Sequence, residues 1–220
     1  MAKPEPTHFS ERLPVRLIRR LNNLYIRGFH DVRIMRPPGH IPATGPLVLV
    51  ANHLSSLDPF LIQACFPRLI HWMMAREYYD LPVARRLLDL IEVIPVDREK
   101  RDSTATRAAL RLLQSGKVLG IFPEGTFLNL PDEEYTRLYP GSPPLLEFHP
   151  GAATLACRAN APIVPVAISG TMANRSIVEP LLYPMSASIS FGDILSRGGQ
   201  VDTVNDAMVI AIRQQLESQQ

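Results

Sequence analysis

Beyond residue 40 the chain alternates between two hydrophobic patterns. Short, continuous apolar runs occupy Leu47–Ala51, Leu69–Met74, Val93–Val96, Val118–Phe122, Ile163–Ile168 and Ala187–Phe191. Runs of that length between turn residues are the mark of strands buried on both faces. Between them lie stretches of helical periodicity: Pro59–Cys65 behind Asp58, Leu81–Leu90, Ser103–Gln114, Ala152–Arg158 behind Gly151, and Thr203–Leu216. Asp102 stands where an N-cap belongs, and Gly116 where a helix-ending glycine belongs. Strands alternating with helices predict an α/β fold with a largely parallel central sheet flanked by helices. Ligands in such folds gather beyond the C-terminal ends of strands, so the residues after each apolar run are the ones to search.

The first 40 residues read differently. Ser10-Glu-Arg-Leu-Pro-Val-Arg-Leu-Ile-Arg-Arg-Leu continues to Phe29 as one amphipathic helix, with Ser10 as N-cap and Pro14 in the first turn. Leu13, Leu17, Leu21 and Leu24 share a face widened by Ile18 and Tyr25, and Arg12, Arg16, Arg19, Arg20 and Arg27 flank it. Residues 1–36 hold eight basic and three acidic side chains, a local +5 in a chain whose net charge is +2, which leaves −3 for the rest. A basic helix with an aliphatic face suits an anionic membrane surface. The other reading is a surface helix packed on the domain, and the two are compatible if the helix docks by one side. The chain thus divides into a basic N-terminal helical membrane-docking segment, 1–40, and an α/β domain, 41–220.

Composition narrows the partners. In 220 residues, 46% are hydrophobic and 20% charged, a globular balance with material for one good core. The net charge is too small for a general nucleic-acid binder. Cys65 and Cys157 make neither a disulfide framework nor a Cys-rich zinc site, and no metal site is expected. The N-terminal residues lack the apolar core of a secretory signal, and no uncharged run reaches the roughly 20 residues that cross a bilayer. The expectation is a peripheral protein on the cytoplasmic face of a membrane. Proline, at 21 residues, is about twice its usual share. Five prolines crowd the acidic stretch between Thr126 and Gly151, too long for an ordinary connection.

Three clusters follow predicted strands. After Leu47–Ala51 come His53 and, five residues on, Asp58: an imidazole that could take a hydroxyl proton and a carboxylate that could fix its tautomer. Asp58 could equally be an N-cap ahead of Pro59. After Val93–Val96 comes Arg98, able to grip a phosphate in a bidentate fork or to pair with Asp97 on the surface. After Val118–Phe122 comes Pro123-Glu124-Gly125-Thr126, either a plain turn or one that aims N–H groups at an anion, with Glu124 free to accept from a substrate hydroxyl.

In this order the clusters resemble the glycerolipid acyltransferase family typified by 1-acylglycerol-3-phosphate acyltransferase. Its His-x-x-x-x-Asp box is matched by Asn52-His53-Leu54-Ser55-Ser56-Leu57-Asp58-Pro59, its second block by Ile94-Pro95-Val96-Asp97-Arg98, its third by Phe122-Pro123-Glu124-Gly125-Thr126, and its fourth, a proline-containing strand, by Ala161-Pro162-Ile163-Val164-Pro165-Val166. The resemblance covers roughly residues 40–190. It implies that His53 is the general base and Asp58 its partner, that Arg98, Glu124, Gly125 and Thr126 bind a phosphate-bearing acceptor, and that Pro165 lies near the acyl or catalytic region. It also implies a lysolipid acceptor, an acyl-CoA or acyl-carrier-protein donor, and no metal or redox cofactor. Arg76, where the family often has Lys, is a second candidate for anion binding. The family usually continues Glu-Gly-Thr-Arg-Ser and has Phe-Lys-x-Gly before the next helix; here Phe127 and His149 replace the two cations. Those changes, with the 127–150 loop between them, raise the expectation of an altered acceptor headgroup. Besides an O-acyltransferase, an acyl-thioester hydrolase or transacylase and a non-catalytic lipid-binding protein fit the same frame.

Overall fold

The structure, a computed structural model, describes residues 12–98, 102–126, 145–171, 178–195 and 198–219, except the side chain of Val83. Among the described residues seven strands form one sheet: β1 (Asp31–Arg36), β2 (Leu47–Ala51), β3 (Ile70–Ala75), β4 (Ile94–Val96), β5 (Val118–Ile121), β6 (Ile163–Ser169) and β7 (Ser186–Phe191), in the spatial order β1-β7-β6-β2-β5-β3-β4. Strands β6, β2, β5, β3 and β4 are mutually parallel, whereas β7 runs antiparallel to β6 and carries β1 parallel to itself. The α/β architecture and largely parallel sheet expected from the sequence are what forms.

The helices are α1 (Leu13–Phe29), α2 (Asp58–Cys65), α3 (Arg76–Tyr79), α4 (Pro82–Leu90), α5 (Ser103–Gln114), α6 (Gly151–Ala159), α7 (Glu179–Leu182) and α8 (Val201–Glu217). Strand β2 is buried along its whole length. Its pleat sends Leu47, Leu49 and Ala51 to one face, where they pack with Ile26 of α1 and Leu57, Leu61 and Ile62 around α2. Val48 and Val50 face the other layer, built from Ala109 and Leu113 of α5, Ala152 and Ala156 of α6, and Met208 and Ile212 of α8. Helix α5 starts as expected: the Asp102 carboxylate accepts from the Thr104 and Ala105 amides.

Strand β1 is not legible in the sequence. Nearly all of its residues are exposed, because it is an edge strand that needs no apolar run. Helix α1 begins later than expected: Arg12 is its N-cap, without a side-chain bond, and Pro14 lies in the first turn; Ser10 falls outside the described residues. The helix docks by one side. Val15 and Ile26 are buried, and Arg19 donates to the Pro67 carbonyl (2.7 Å), Asn22 to Phe60 O (3.0 Å) and the Tyr25 hydroxyl to Leu181 O (2.6 Å). Leu13, Leu17, Leu21 and Leu24 point away and are 56–77% exposed. Among the described residues no helix is long and apolar enough to cross a membrane.

Candidate active site

The site is assembled at the C-terminal ends of β2, β5, β3 and β4, four neighbouring parallel strands. Asn52 follows β2 and its side-chain amide acts as an extra peptide unit against β6. It donates to Ile168 O and accepts from Ile168 N, both at 2.9 Å. That clamp holds the start of the turn carrying His53. Asp58, fully buried, closes it: Oδ2 accepts from the Leu54 amide (2.7 Å), the Ser55 amide (2.8 Å) and His53 Nδ1 (3.0 Å). A carboxylate acceptor at that distance places the proton on Nδ1 and leaves Nε2 as the basic nitrogen. Asp58 does not act as an N-cap, since Leu57 is the cap of α2 and the carboxylate reaches backward into the turn.

The second half of the site is the tight turn after β5. Gly125 N donates to Phe122 O (3.1 Å), and Gly125 adopts φ +68°. A Cβ there would be strained and would press within 3.2 Å of the His149 ring, which stands against this turn while the His149 amide bonds Pro123 O. Glu124 is only 3% exposed, and its Oε1 accepts from the His53 backbone amide (3.0 Å). The carboxyl expected to meet a substrate hydroxyl thus has one oxygen taken by the main chain of the candidate base. Its other oxygen is also buried. Burial pushes the Glu124 carboxyl up to about 8; the His53 and Leu146 backbone amides oppose the shift and the neighbouring Asp58 carboxylate adds to it. Glu124 is therefore mostly neutral at pH 7.

Three aromatic rings converge beside these carboxyls. The His53 imidazole stacks on Phe122 at 3.9 Å between centroids and 13° between planes, and Phe122 stacks on Trp72 at 4.6 Å and 5°.

Arg98, following β4, donates Nη1 to the Gly125 carbonyl (2.7 Å) and pairs Nη2 with Glu77. Its guanidinium thus ties the block after β4 to the turn after β5, with Glu77 as the ion-pair partner. Arg76 opens α3, about half exposed, 3.7 Å from the Asp102 carboxylate. Thr126 is exposed at the end of the turn. Pro165 lies buried inside β6, opposite Val50 of β2, with its carbonyl accepting from Gly192 N (2.8 Å). The structure therefore brings His53, Asp58, Glu124, Gly125 and Arg98 into one bonded chain, sets Arg76 on the adjoining strand end, and keeps Pro165 within the sheet. Asn52 and Phe122 stand inside the His-box and the third block without a role of their own there, and Trp72, a core residue by its place in an apolar run, is buried and also backs the stack. Phe127 lies outside the described residues.

The acyltransferase family model matches residues 34–169, which contain every one of these side chains. The chain belongs to the acyltransferase family. Over 156 residues it is 33% identical to the 1-acyl-sn-glycerol-3-phosphate acyltransferase alpha of Homo sapiens, covering 69% of this chain and 51% of that one. Over 141 residues it is 27% identical to the Bacillus subtilis 1-acyl-sn-glycerol-3-phosphate acyltransferase, 64% of each chain. It is also similar to a probable 1-acyl-sn-glycerol-3-phosphate acyltransferase of Mycoplasma genitalium, 30% identical across 68% of this chain and 52% of the other. The chain thus spans about half to two thirds of the length of these relatives. The crystal structure of the 1-acyl-sn-glycerophosphate (LPA) acyltransferase PlsC from Thermotoga maritima superposes with a TM-score of 0.72 over 92% of this chain and 80% of that one, at 19% identity, so the two chains share a fold.

Proposed function

We propose that this protein moves a fatty acyl group from an acyl thioester, acyl-CoA or acyl-carrier protein, to the hydroxyl of a lysophospholipid or related lysolipid. The observation that carries the reading is the His53–Asp58 pair: Nδ1 is tied to a buried carboxylate, and the ring is stacked flat on Phe122. In this reading Nε2 removes the acceptor hydroxyl proton as the oxygen attacks the thioester carbonyl carbon. The tetrahedral intermediate then collapses, the C–S bond breaks, and the imidazolium returns its proton to the departing sulfur. Asp58 holds the tautomer and stabilises the imidazolium. The thioester is itself the activated species, so the transfer as written runs without metal or redox chemistry.

The names of the relatives support a lysophosphatidic-acid-like acceptor. Arg98, anchored on Gly125, supplies positive charge at the same end of the sheet, and His149 stands on the other side of that glycine. The membrane is the natural source of the lipid. Helix α1 supports docking there, with its leucine stripe outward and Arg16, Arg20 and Arg27 beside it. Exposed Phe60 and Leu182 adjoin the carbonyls that α1 bonds.

The test is thiol release from acyl-CoA, and from an acyl-carrier-protein donor, with and without a panel of lysolipids. Release that requires a lysolipid, with the acylated lipid detected by mass spectrometry, is the expected outcome. Release without acceptor would identify a thioester hydrolase, and no release with either donor would leave a lipid-binding role.

A further inference from the structure

We infer that Phe122, backed by Trp72, is a positioning residue for the general base: its ring face fixes the plane of the His53 imidazole and stabilises the positive charge that the imidazole acquires on taking the acceptor proton. This rests on the reading of His53 as the base.

The hydrogen bond at Nδ1 holds the imidazole by one edge, and rocking about that edge would swing Nε2, the atom that must meet the hydroxyl. The parallel Phe122 ring 3.9 Å away opposes that motion. The support is built by the sheet rather than by a flexible contact. His53 comes from the end of β2, Phe122 from the end of β5 and Trp72 from β3, three adjacent strands. Trp72 pairs in register with Gly120 of β5. A Cβ on Gly120 would fall 2.5 Å from Trp72 Cε3 and 2.6 Å from Ile70 Cγ2, so the missing side chain is what lets the indole lie flat behind Phe122. The turn that begins at Phe122 also supplies Glu124, whose Oε1 takes the His53 amide. One turn therefore grips both the backbone and the ring of the same histidine.

The electrostatics act in the same direction. An aromatic face carries partial negative charge and attracts a cation stacked on it. The polar groups around the imidazole include Asp58 on Nδ1, the buried Glu124 at the amide, and, one step along the turn, Arg98 on the Gly125 carbonyl. With Glu124 mostly neutral, the aromatic face adds to Asp58 in holding the imidazolium.

Phe122→Leu and Phe122→Tyr test the inference in the full chain, with steady-state kinetics on acyl-CoA and lysophosphatidic acid. Phe122→Leu is expected to lower kcat at least about tenfold with both KM values within about twofold, and Phe122→Tyr, which keeps the ring face, to stay within about threefold of the unmodified enzyme. An independent reading comes from proton NMR of the unmodified protein, with the His53 resonances identified by their loss in His53→Asn. The stack predicts ring protons displaced upfield by the Phe122 ring current, and that displacement needs no variant at Phe122 to fold. Unchanged kcat in Phe122→Leu, equal losses in the Leu and Tyr variants, or His53 ring protons at ordinary positions would overturn the inference. If His53→Asn keeps full acceptor-dependent turnover, the general-base reading fails instead, whatever the NMR shows.

Discussion

Replacing Glu124 by Gln should change how stability depends on pH, and the structure sets both the sign and the size. Glu124 is 3% exposed and its carboxyl is raised from an ordinary 4.5 to about 8. At about 1.36 kcal/mol per pH unit, the gap between the two protonation states amounts to roughly 5 kcal/mol, an upper bound for a site that relaxes on ionisation. The folded state holds a proton that the unfolded chain releases. Glu124 therefore contributes most below pH 4.5, and that contribution drains away as the pH rises toward 8. A Gln keeps the carbonyl that accepts from the His53 amide. Its amide group, a buried donor in place of an acceptor oxygen, costs about 1–3 kcal/mol at every pH. The unmodified protein should thus be the more stable at pH 5, and Glu124→Gln should match or overtake it by pH 9. Urea unfolding at pH 5, 7 and 9 can be followed by the fluorescence of Trp72, the single tryptophan, which sits in the aromatic stack beside this turn. The difference in unfolding free energy should move by about 3–5 kcal/mol over that range. Parallel pH curves for the two proteins would show that Glu124 titrates as an ordinary carboxyl and that the site is not desolvated as described.

Other perturbations probe the rest of the frame. His30 is buried with both ring nitrogens unpartnered among the described residues, and burial holds its pKa below the usual value, so its contribution is intact above about pH 6.5 and lost as the solution is acidified; His30→Phe should flatten that loss in melting curves between pH 5 and 7. Arg98→Ala should raise the KM for phosphate-bearing acceptors about tenfold and spare phosphate-free ones; an equal loss for both would mean that Arg98 acts by holding the Gly125 carbonyl. Changing Arg16, Arg20 and Arg27 to Gln should weaken binding to phosphatidylserine vesicles by about two orders of magnitude at low salt, from about 1 kcal/mol per Arg, and unchanged sedimentation with vesicles would leave α1 as scaffold only.

The parts of this molecule that were legible in the sequence are those whose physics is local. Strand β2 and the caps of α5 follow from apolar runs and from Asp102, and the single leucine face of α1 follows from its spacing, although that it turns outward does not. The juxtaposition of His53 with Asp58 follows from five residues of one turn. What was hidden depends on partners distant in the chain. Strand β1 exists because β7 offers an edge. Glu124 is diverted to the His53 amide only because β2 and β5 are neighbours in register. Trp72 and Phe122 look like core residues singly and become a platform only when β3 is placed beside β5 and Gly120 leaves room. Asn52 looks like part of a loop until Ile168 of β6 is brought opposite its amide.

Proton transfer at His53 is measured most directly by single-turnover acyl transfer with His53→Ala. Acceptor-dependent thiol release should fall by about 10²- to 10⁴-fold while vesicle binding and the melting temperature stay close to those of the unmodified protein. Turnover within tenfold of the original, on a folded variant, would contradict the assignment of the base and the acyl-transfer mechanism built upon it.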